Sequence, residues 1–145
     1  MVHEINNRWG QWKFAFNDRG VSCGVSITTT EFHEINLYLP LAAPLWDRLI
    51  RLLRNTRHSD SNREVSPGVI ASRHVEDGEE SVTVDQVAYE CKDAWTFTLS
   101  VLSPSVGVKM GFFCDEELQS LGAWLDQALV QARSKHASDV PKTDR

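Results

Sequence analysis

The stretch from Val21 to Arg57 decides the fold and reads VSCGVSITTTEFHEINLYLPLAAPLWDRLIRLLRNTR. Apolar and small polar residues alternate over Val21–Thr28, and the alternation returns over His33–Leu39. A period of two is typical of strands with one buried face, so the sequence predicts two strands, the second stopping at Pro40. The leucines that follow are spaced for one face of a helix beginning near Pro44, and arginines occupy its other side.

The same two patterns recur on either side of this stretch. Alternation predicts one strand before it and four after it, at Gln11–Asn17, Val69–Val75, Ser81–Tyr89, Trp95–Val101 and Val106–Phe112. Helical spacing of apolar residues returns between Asp115, a good N-cap residue, and Arg133. The sequence therefore predicts an α+β fold of about seven antiparallel strands and two amphipathic helices, in the order βββα-ββββα. Because each half ends with a strand feeding a helix, a degenerate internal duplication is left open.

The length suits one domain. A chain of 145 residues buries roughly two-thirds of the surface that its unfolded form exposes. We expect a flexible amino terminus, an α+β domain and a disordered tail, at residues 1–8, 9–133 and 134–145. The domain divides into halves 9–57 and 65–133, joined by a polar linker at 55–64 that has no large apolar residue.

Composition predicts a cytoplasmic protein. The sequence shows no apolar signal-peptide core and no run of the roughly 20 apolar residues that a membrane span requires. Cys23, Cys91 and Cys114 lack CxxC spacing, so we expect buried thiols. The net charge is −5, yet residues 1–64 carry eight Lys and Arg against seven Asp and Glu. A basic surface is therefore expected in the first half alone.

The motifs do not favour catalysis. Gly20–Gly24 match G-x-S-x-G, but a threonine-rich strand follows instead of the helix that a hydrolase nucleophile needs. Glu31 and His33 share a strand face without a third metal ligand. Acidic clusters at 76–80 and 115–117 are typical of a hairpin tip and a helix start. We expect neither an enzyme nor a bound cofactor or metal.

Three surface features indicate binding. Arginines recur every third residue along the first predicted helix, and guanidinium groups bind phosphates and carboxylates; they are Arg48, Arg51, Arg54 and Arg57. Some aromatic residues fall off the apolar phase and can stack on bases or anchor a protein interface; they are Trp9, Phe32, Tyr38 and Phe113. An Asp77-Gly78 hairpin turn carries an acidic tip suited to a basic partner, formed by Glu76, Asp77, Glu79 and Glu80.

The repeated order of strand meander followed by helix resembles that of the Whirly and PUR families over most of the chain. The resemblance is one of element order, and it implies binding of single-stranded nucleic acid. A protein of this kind would use a sheet face and the arginine stripe of the first helix. The competing hypothesis is a small non-enzymatic module that occupies another protein, as inhibitors and toxin-immunity proteins do. The acidic second half and the missing catalytic motifs favour the protein partner, so nucleic acid is the alternative. An uncovered edge strand would also pair with another copy, which leaves a homodimer open.

Overall fold

The computed structural model describes residues 1–29, 34–57, 69–87, 97–102 and 107–137. Within these ranges the chain forms eight strands and two helices: β1 (Val2–Asn7), β2 (Gly10–Asp18), β3 (Ser22–Thr29), β4 (Glu34–Pro40), α1 (Pro44–Arg54), β5 (Val69–Asp77), β6 (Glu80–Val87), β7 (Phe97–Leu102), β8 (Gly107–Phe113) and α2 (Asp115–Ala137). Strands β1–β4 form one antiparallel sheet and β5–β8 a second, each in sequence order. The predicted α+β class is confirmed, and the order gains one strand to become ββββα-ββββα.

The additional strand is β1, which corrects the prediction of a flexible segment at residues 1–8. It pairs with β2 from Val2 opposite Ala15 to Asn7 opposite Gly10. Ile5 is its one fully buried residue. The period of two is therefore barely visible in the sequence, and the strand is ordered by its backbone ladder with β2.

The inner faces of the two sheets share one core. The Trp12 ring of β2 lies against the Phe113 ring of β8, with centroids 4.6 Å apart. Helix α1 buries its predicted apolar face in the same core, through Leu45, Trp46, Leu49, Ile50, Leu52 and Leu53. The indole N–H of Trp46 donates to the Pro40 carbonyl at 3.0 Å, which satisfies its buried polar group.

The two ββββα halves interlock through their helices. Helix α1 contacts β5 of the second half, and α2 contacts β1 and β2 of the first. The helices also pack on each other, and Arg54–Asp126 and Arg133–Asp47 ion pairs of 2.9 Å join them. Asp47, near the start of α1, pairs with Arg133, near the end of α2, whereas Arg54 at the end of α1 pairs with the earlier residue Asp126. The two helices are therefore antiparallel. Both halves have the order that a duplication requires, and duplication itself stays a hypothesis.

Gly122 of α2 lies at the close contact between the two helices. A Cβ at Gly122 would lie 2.9 Å from the Leu53 Cβ and 3.0 Å from the Arg54 backbone nitrogen. Glycine is therefore needed here for space between α1 and α2.

Both ends of α2 differ from the prediction. Its N-cap is Cys114 instead of Asp115, since the Cys114 N–H donates to Glu117 Oε1 at 3.0 Å and the Cys114 carbonyl accepts from the Leu118 N–H at 3.3 Å. Glu117 also accepts from Asn7 Nδ2 at 3.1 Å, which ties the first hairpin to the helix start. The helix continues through residues 134–137, which were predicted to belong to the disordered tail.

The remaining predicted tail, 138–145, and the linker residues 58–64 lie outside the described ranges. At the start of the linker, Thr56 is buried and its hydroxyl donates to the Leu52 carbonyl at 2.9 Å. Of the helices described, none combines the length and apolar character needed to cross a membrane.

Candidate functional site

The outer face of the first sheet, turned away from the core, is lined mainly by polar side chains. Residues directly opposite one another across antiparallel strands share a face, which arranges this surface in rows. Three of these rows are Glu4, Lys13, Thr28 and Glu34; Val2, Ala15, Ser26 and Asn36; and Asn17, Gly24 and Tyr38. We call this surface the sheet face. Its composition, amides and hydroxyls with few charges, suits hydrogen bonding more than apolar packing.

Tyr38 lies directly over Gly24 of the neighbouring strand. A Cβ placed on Gly24 would overlap Cδ1 and Cε1 of the Tyr38 ring. The backbone φ of Gly24 is not in the left-handed region, so space alone explains the glycine here. The ring is thereby held flat against the sheet instead of standing up from it.

Arg19 covers the side of the Tyr38 ring that faces away from Gly24. Its Cζ lies 4.4 Å from the ring centroid, and Nη2 donates to the Tyr38 hydroxyl at 3.3 Å. A guanidinium on an exposed aromatic ring gains about 0.5–1 kcal/mol. Gly24, Tyr38 and Arg19 thus form a three-layer stack whose outermost layer is a planar cation.

A chain of hydrogen bonds runs from this stack across the sheet face. Asn17 Nδ2 donates to Ser26 Oγ at 2.8 Å and to the Tyr38 hydroxyl at 3.4 Å. The Ser26 hydroxyl in turn donates to Asn36 Oδ1 at 2.6 Å. These bonds orient the amides before any ligand arrives, which lowers the entropic cost of binding.

A groove of about 340 Å³ lies at the other end of the sheet face. Its lining is Glu4, Asn6, Gln11, Trp12, Lys13, Thr28 and Thr29. That volume is within the range of small-ligand sites, whereas the core cavity of about 30 Å³ has room for little more than water. Lys13 supplies a cation to the groove and Glu4 a carboxylate.

The predicted arginine stripe is divided by the structure. Arg54 pairs with Asp126, and Arg57 lies beyond the end of α1, where its Nη1 donates to the Arg54 and Thr56 carbonyls at 2.9 Å. Arg48 and Arg51 are exposed and form no ion pair with any other described residue. Since α1 packs on the core side of the first sheet, the structure does not bring these arginines to the sheet face.

The off-phase aromatics have different positions. Tyr38 is on the sheet face, as predicted, and Trp9 packs partly buried against the core. Phe113 is wholly buried, so it is not one of the off-phase aromatics that point outward. The pairing of β7 with β8 shifts in register between Thr98 and Leu99 of β7. This shift changes the phase of β8 and turns Phe113 inward. Phe32 lies outside the described ranges.

The acidic hairpin is present, with its turn one residue later than predicted. Asp77 pairs with Glu80, so Gly78 and Glu79 form the turn, and Gly78 has φ +62°. Glu76 and Glu79 are exposed, and Asp77 and Glu80 are half-buried. Four carboxylates therefore lie together at one end of the second sheet.

The two described thiols, Cys23 and Cys114, have no feature of a reactive site. Burial raises the pKa of the Cys23 thiol to about 11 and raises that of Cys114 as well. Cys91 and the Glu31–His33 pair fall outside the described ranges. Among the residues that are described, no three His, Cys, Asp or Glu side chains come together to hold a metal ion.

Comparison of the chain with protein-family models finds no match, and comparison with curated proteins finds none either. The geometry of the sheet face is therefore the basis on which a function can be inferred.

Proposed function

We propose that the protein binds single-stranded nucleic acid on the sheet face. The observation that supports this most is the stack of Gly24, Tyr38 and Arg19. Bases stack on aromatic rings and on guanidinium planes without regard to sequence, and an open sheet gives them access. The pre-oriented amides of Asn17 and Asn36 beside the stack offer hydrogen-bond partners to base edges.

The element order adds support. The order ββββα-ββββα keeps the repeated meander-plus-helix pattern that resembles the Whirly and PUR families. With the resemblance comes the expectation of a sheet as the binding surface. The contacts of Arg54 and Arg57 weaken one part of the hypothesis, namely that the arginine stripe contributes to binding.

Charge limits the kind of binding that is expected. The sheet face carries two cations, Lys13 and Arg19, against the carboxylates of Glu4 and Glu34. Each phosphate neutralised on a single strand contributes about −0.7 to the logarithmic salt slope, so two contacts give roughly −1.4. Stacking and hydrogen bonds, not charge neutralisation, therefore supply most of the proposed affinity.

The test is fluorescence anisotropy with labelled 12-nucleotide DNA and RNA strands and a duplex of the same sequence. We expect single strands to bind in preference to the duplex. Tyr38→Ala removes the ring that supports the Arg19 guanidinium, on whose outer side a base would stack, and should weaken binding by about 5- to 100-fold, the cost of one lost base stack. The matched control is Arg48→Glu with Arg51→Glu on α1, which should change affinity less than about twofold. Failure of the wild-type protein to bind any of the strands would exclude the proposal.

A protein partner is the second candidate, and the acidic hairpin favours it. The carboxylates of Glu76, Asp77, Glu79 and Glu80 form a concentrated negative surface that complements a basic partner. A pull-down from host lysate with and without nuclease, using wild type and Glu76→Lys with Glu79→Lys, tests it. We expect a stoichiometric protein that survives nuclease and is lost with the variant. Recovery that collapses with nuclease would contradict this candidate and agree with the first.

A further inference from the structure

We infer that His136, near the carboxyl end of α2, is a positioning residue for the sheet face: by binding Asp18 it holds the β2–β3 turn that places Arg19 on Tyr38. The inference rests on the proposed function, because the stack is the element through which the sheet face would bind. The contact between His136 and Asp18 connects the two sides of the first sheet, since α2 lies on the core side and Tyr38 on the outer side.

One ring nitrogen of His136 in α2 contacts both carboxylate oxygens of Asp18 in the turn. His136 Nε2 lies 2.8 Å from Asp18 Oδ1 and 2.9 Å from Oδ2; the two side chains are 20% and 22% exposed, although Asp18 as a whole residue is exposed. The same Asp18 carboxylate accepts from the Gly20 N–H at 2.9 Å. One carboxylate therefore joins the end of the helix to the backbone of the turn.

The turn has little freedom once Asp18 is held. The Arg19 N–H donates to the Ser22 carbonyl at 2.9 Å, and Gly20 has φ +86°, a conformation that side chains rarely adopt. Asp18 pairs with Cys23 and so faces the core side, while Arg19 lies over Tyr38 on the outer side. The backbone between Asp18 and Arg19 is thus held from both faces of the sheet.

A second contact of α2 fastens the other end of the same turn. Arg133 donates to the Leu41 carbonyl from Nε at 3.2 Å and from Nη2 at 3.1 Å. The Leu41 N–H donates to the Val21 carbonyl at 2.9 Å. The last turns of α2 therefore hold Asp18 through His136 and Val21 through Leu41 and Arg133.

Charge strengthens the hold on Asp18, whose carboxylate lies 2.9 Å from the Gly20 nitrogen and 2.8 Å from His136 Nε2. The Gly20 N–H first, and then the His136 imidazole and the Lys135 ammonium, hold the pKa of the Asp18 carboxyl below its usual range. The charge of Asp18 is therefore satisfied by the turn and by α2.

The experiment measures the stack in the free protein and binding separately. The ring current of Tyr38 shifts the Arg19 Hδ resonances, and the shift is read by NMR without ligand; affinity is read by anisotropy with the 12-nucleotide strand. We expect His136→Gln to reduce the ring-current shift by about half or more and to weaken binding about two- to fivefold, the range for loss of one ion pair. His136→Lys, which places an ammonium donor at the same position, should restore both to within about twofold.

Two further variants serve as a control and as a second test of the inference. Ser134→Ala changes an exposed residue of the same helical turn and should alter neither readout. Asp18→Asn keeps an acceptor for Gly20 and removes the charge, so it should reproduce His136→Gln if that variant proves unstable. An Arg19 shift that is unchanged in both variants overturns the inference. If no strand binds the wild-type protein, the proposed function fails, and the ring-current shift alone decides the positioning role.

Discussion

Tyr38 lies flat on Gly24, and the ring occupies the space in which any other residue at position 24 would place its Cβ. Glycine in a strand is unfavourable by roughly 0.5–1 kcal/mol relative to alanine. Gly24 therefore lowers the stability of its strand, and it allows the Tyr38 ring to lie parallel to the sheet. On its other side the ring carries Arg19, so the position of a glycine determines where a planar cation is displayed.

The first prediction concerns this pairing. Gly24→Ala should displace the Tyr38 ring, destabilise the fold by about 1–2 kcal/mol and remove the Arg19 stack, because the new methyl group and the ring cannot share the space. In a Tyr38→Ala background the same change should be neutral or stabilising by up to about 1 kcal/mol. Urea denaturation of the four proteins in this double-mutant cycle measures the coupling. If the two substitutions change the free energy of unfolding additively, the glycine at position 24 is not required by the Tyr38 ring.

The second prediction concerns the contact between the helices. Gly122→Ala gains about 1 kcal/mol of helix propensity, yet its Cβ would lie 3.0 Å from the Arg54 backbone nitrogen, where no side-chain rotation relieves the overlap. We expect a net loss of about 1–2 kcal/mol in the free energy of unfolding. Ser120→Ala, at an exposed position of the same helix, should be neutral or slightly stabilising. A stabilised Gly122→Ala protein would contradict the close helix contact.

The third prediction concerns pH. His3 of β1 stacks on Trp124 of α2 with ring centroids 5.7 Å apart, and burial lowers its pKa. The unfolded chain then binds a proton more readily than the folded one, so stability falls as pH drops below about 6.5, the usual pKa of histidine. Thermal melting between pH 7.5 and 5.5 should show a smaller loss for His3→Phe than for wild type.

The control for this pH dependence is His74→Gln, on the exposed side of β5. The His74 side chain is 57% exposed, so this variant removes a histidine without removing a core contact, and it should keep the loss of stability that wild type shows at low pH. Equal pH dependence in wild type and His3→Phe would rule out His3 as the source.

The fourth prediction concerns the thiols. Because burial raises the pKa of Cys23 to about 11, almost none of it is thiolate at pH 8, and a thiol reagent also has no access to it. We expect Cys23 to remain unmodified by a disulfide reagent in the native protein and to react once urea unfolds the chain. Peptide mapping by mass spectrometry identifies the modified residue. Rapid native modification of Cys23 would mean that β3 opens on its own.

The fifth prediction concerns salt. With Lys13 and Arg19 as the cations of the sheet face, the logarithm of affinity for a single strand should fall with the logarithm of salt at a slope of roughly −1 to −2. Lys13→Gln should reduce the magnitude of that slope by about 0.7, whereas Arg48→Gln should not change it. A much steeper slope, sensitive to Arg48 and Arg51, would move the site to α1.

The types of the elements follow from patterns a few residues long. Alternation over Val21–Thr28 and helical spacing after Pro44 each reflect a local burial requirement, so both elements could be predicted without knowing what they pack against. Pro44 is at the first helical position for the same reason, since its ring presets φ and its missing N–H would have been unpaired.

The site was only partly predictable. Tyr38 was identified because it falls off the apolar phase of its strand. Arg19 was missed, since nothing within the turn shows that its side chain folds back over a ring of β4. A glycine opposite an aromatic residue in a predicted sheet is the one signal that would have indicated the stack, and it requires the register of β3 against β4.

By itself, then, the sequence determined the strand meanders, the two helices and the mixed α+β class, because these depend on periodicity along the chain. Only the tertiary structure decided that β1 is ordered, that Phe113 faces inward, that Arg54 pairs with Asp126 and that His136 reaches Asp18. The physical reason is that each of these depends on a partner distant in the chain. A partner of that kind leaves no period in the sequence, and its position is set by how the two halves pack together.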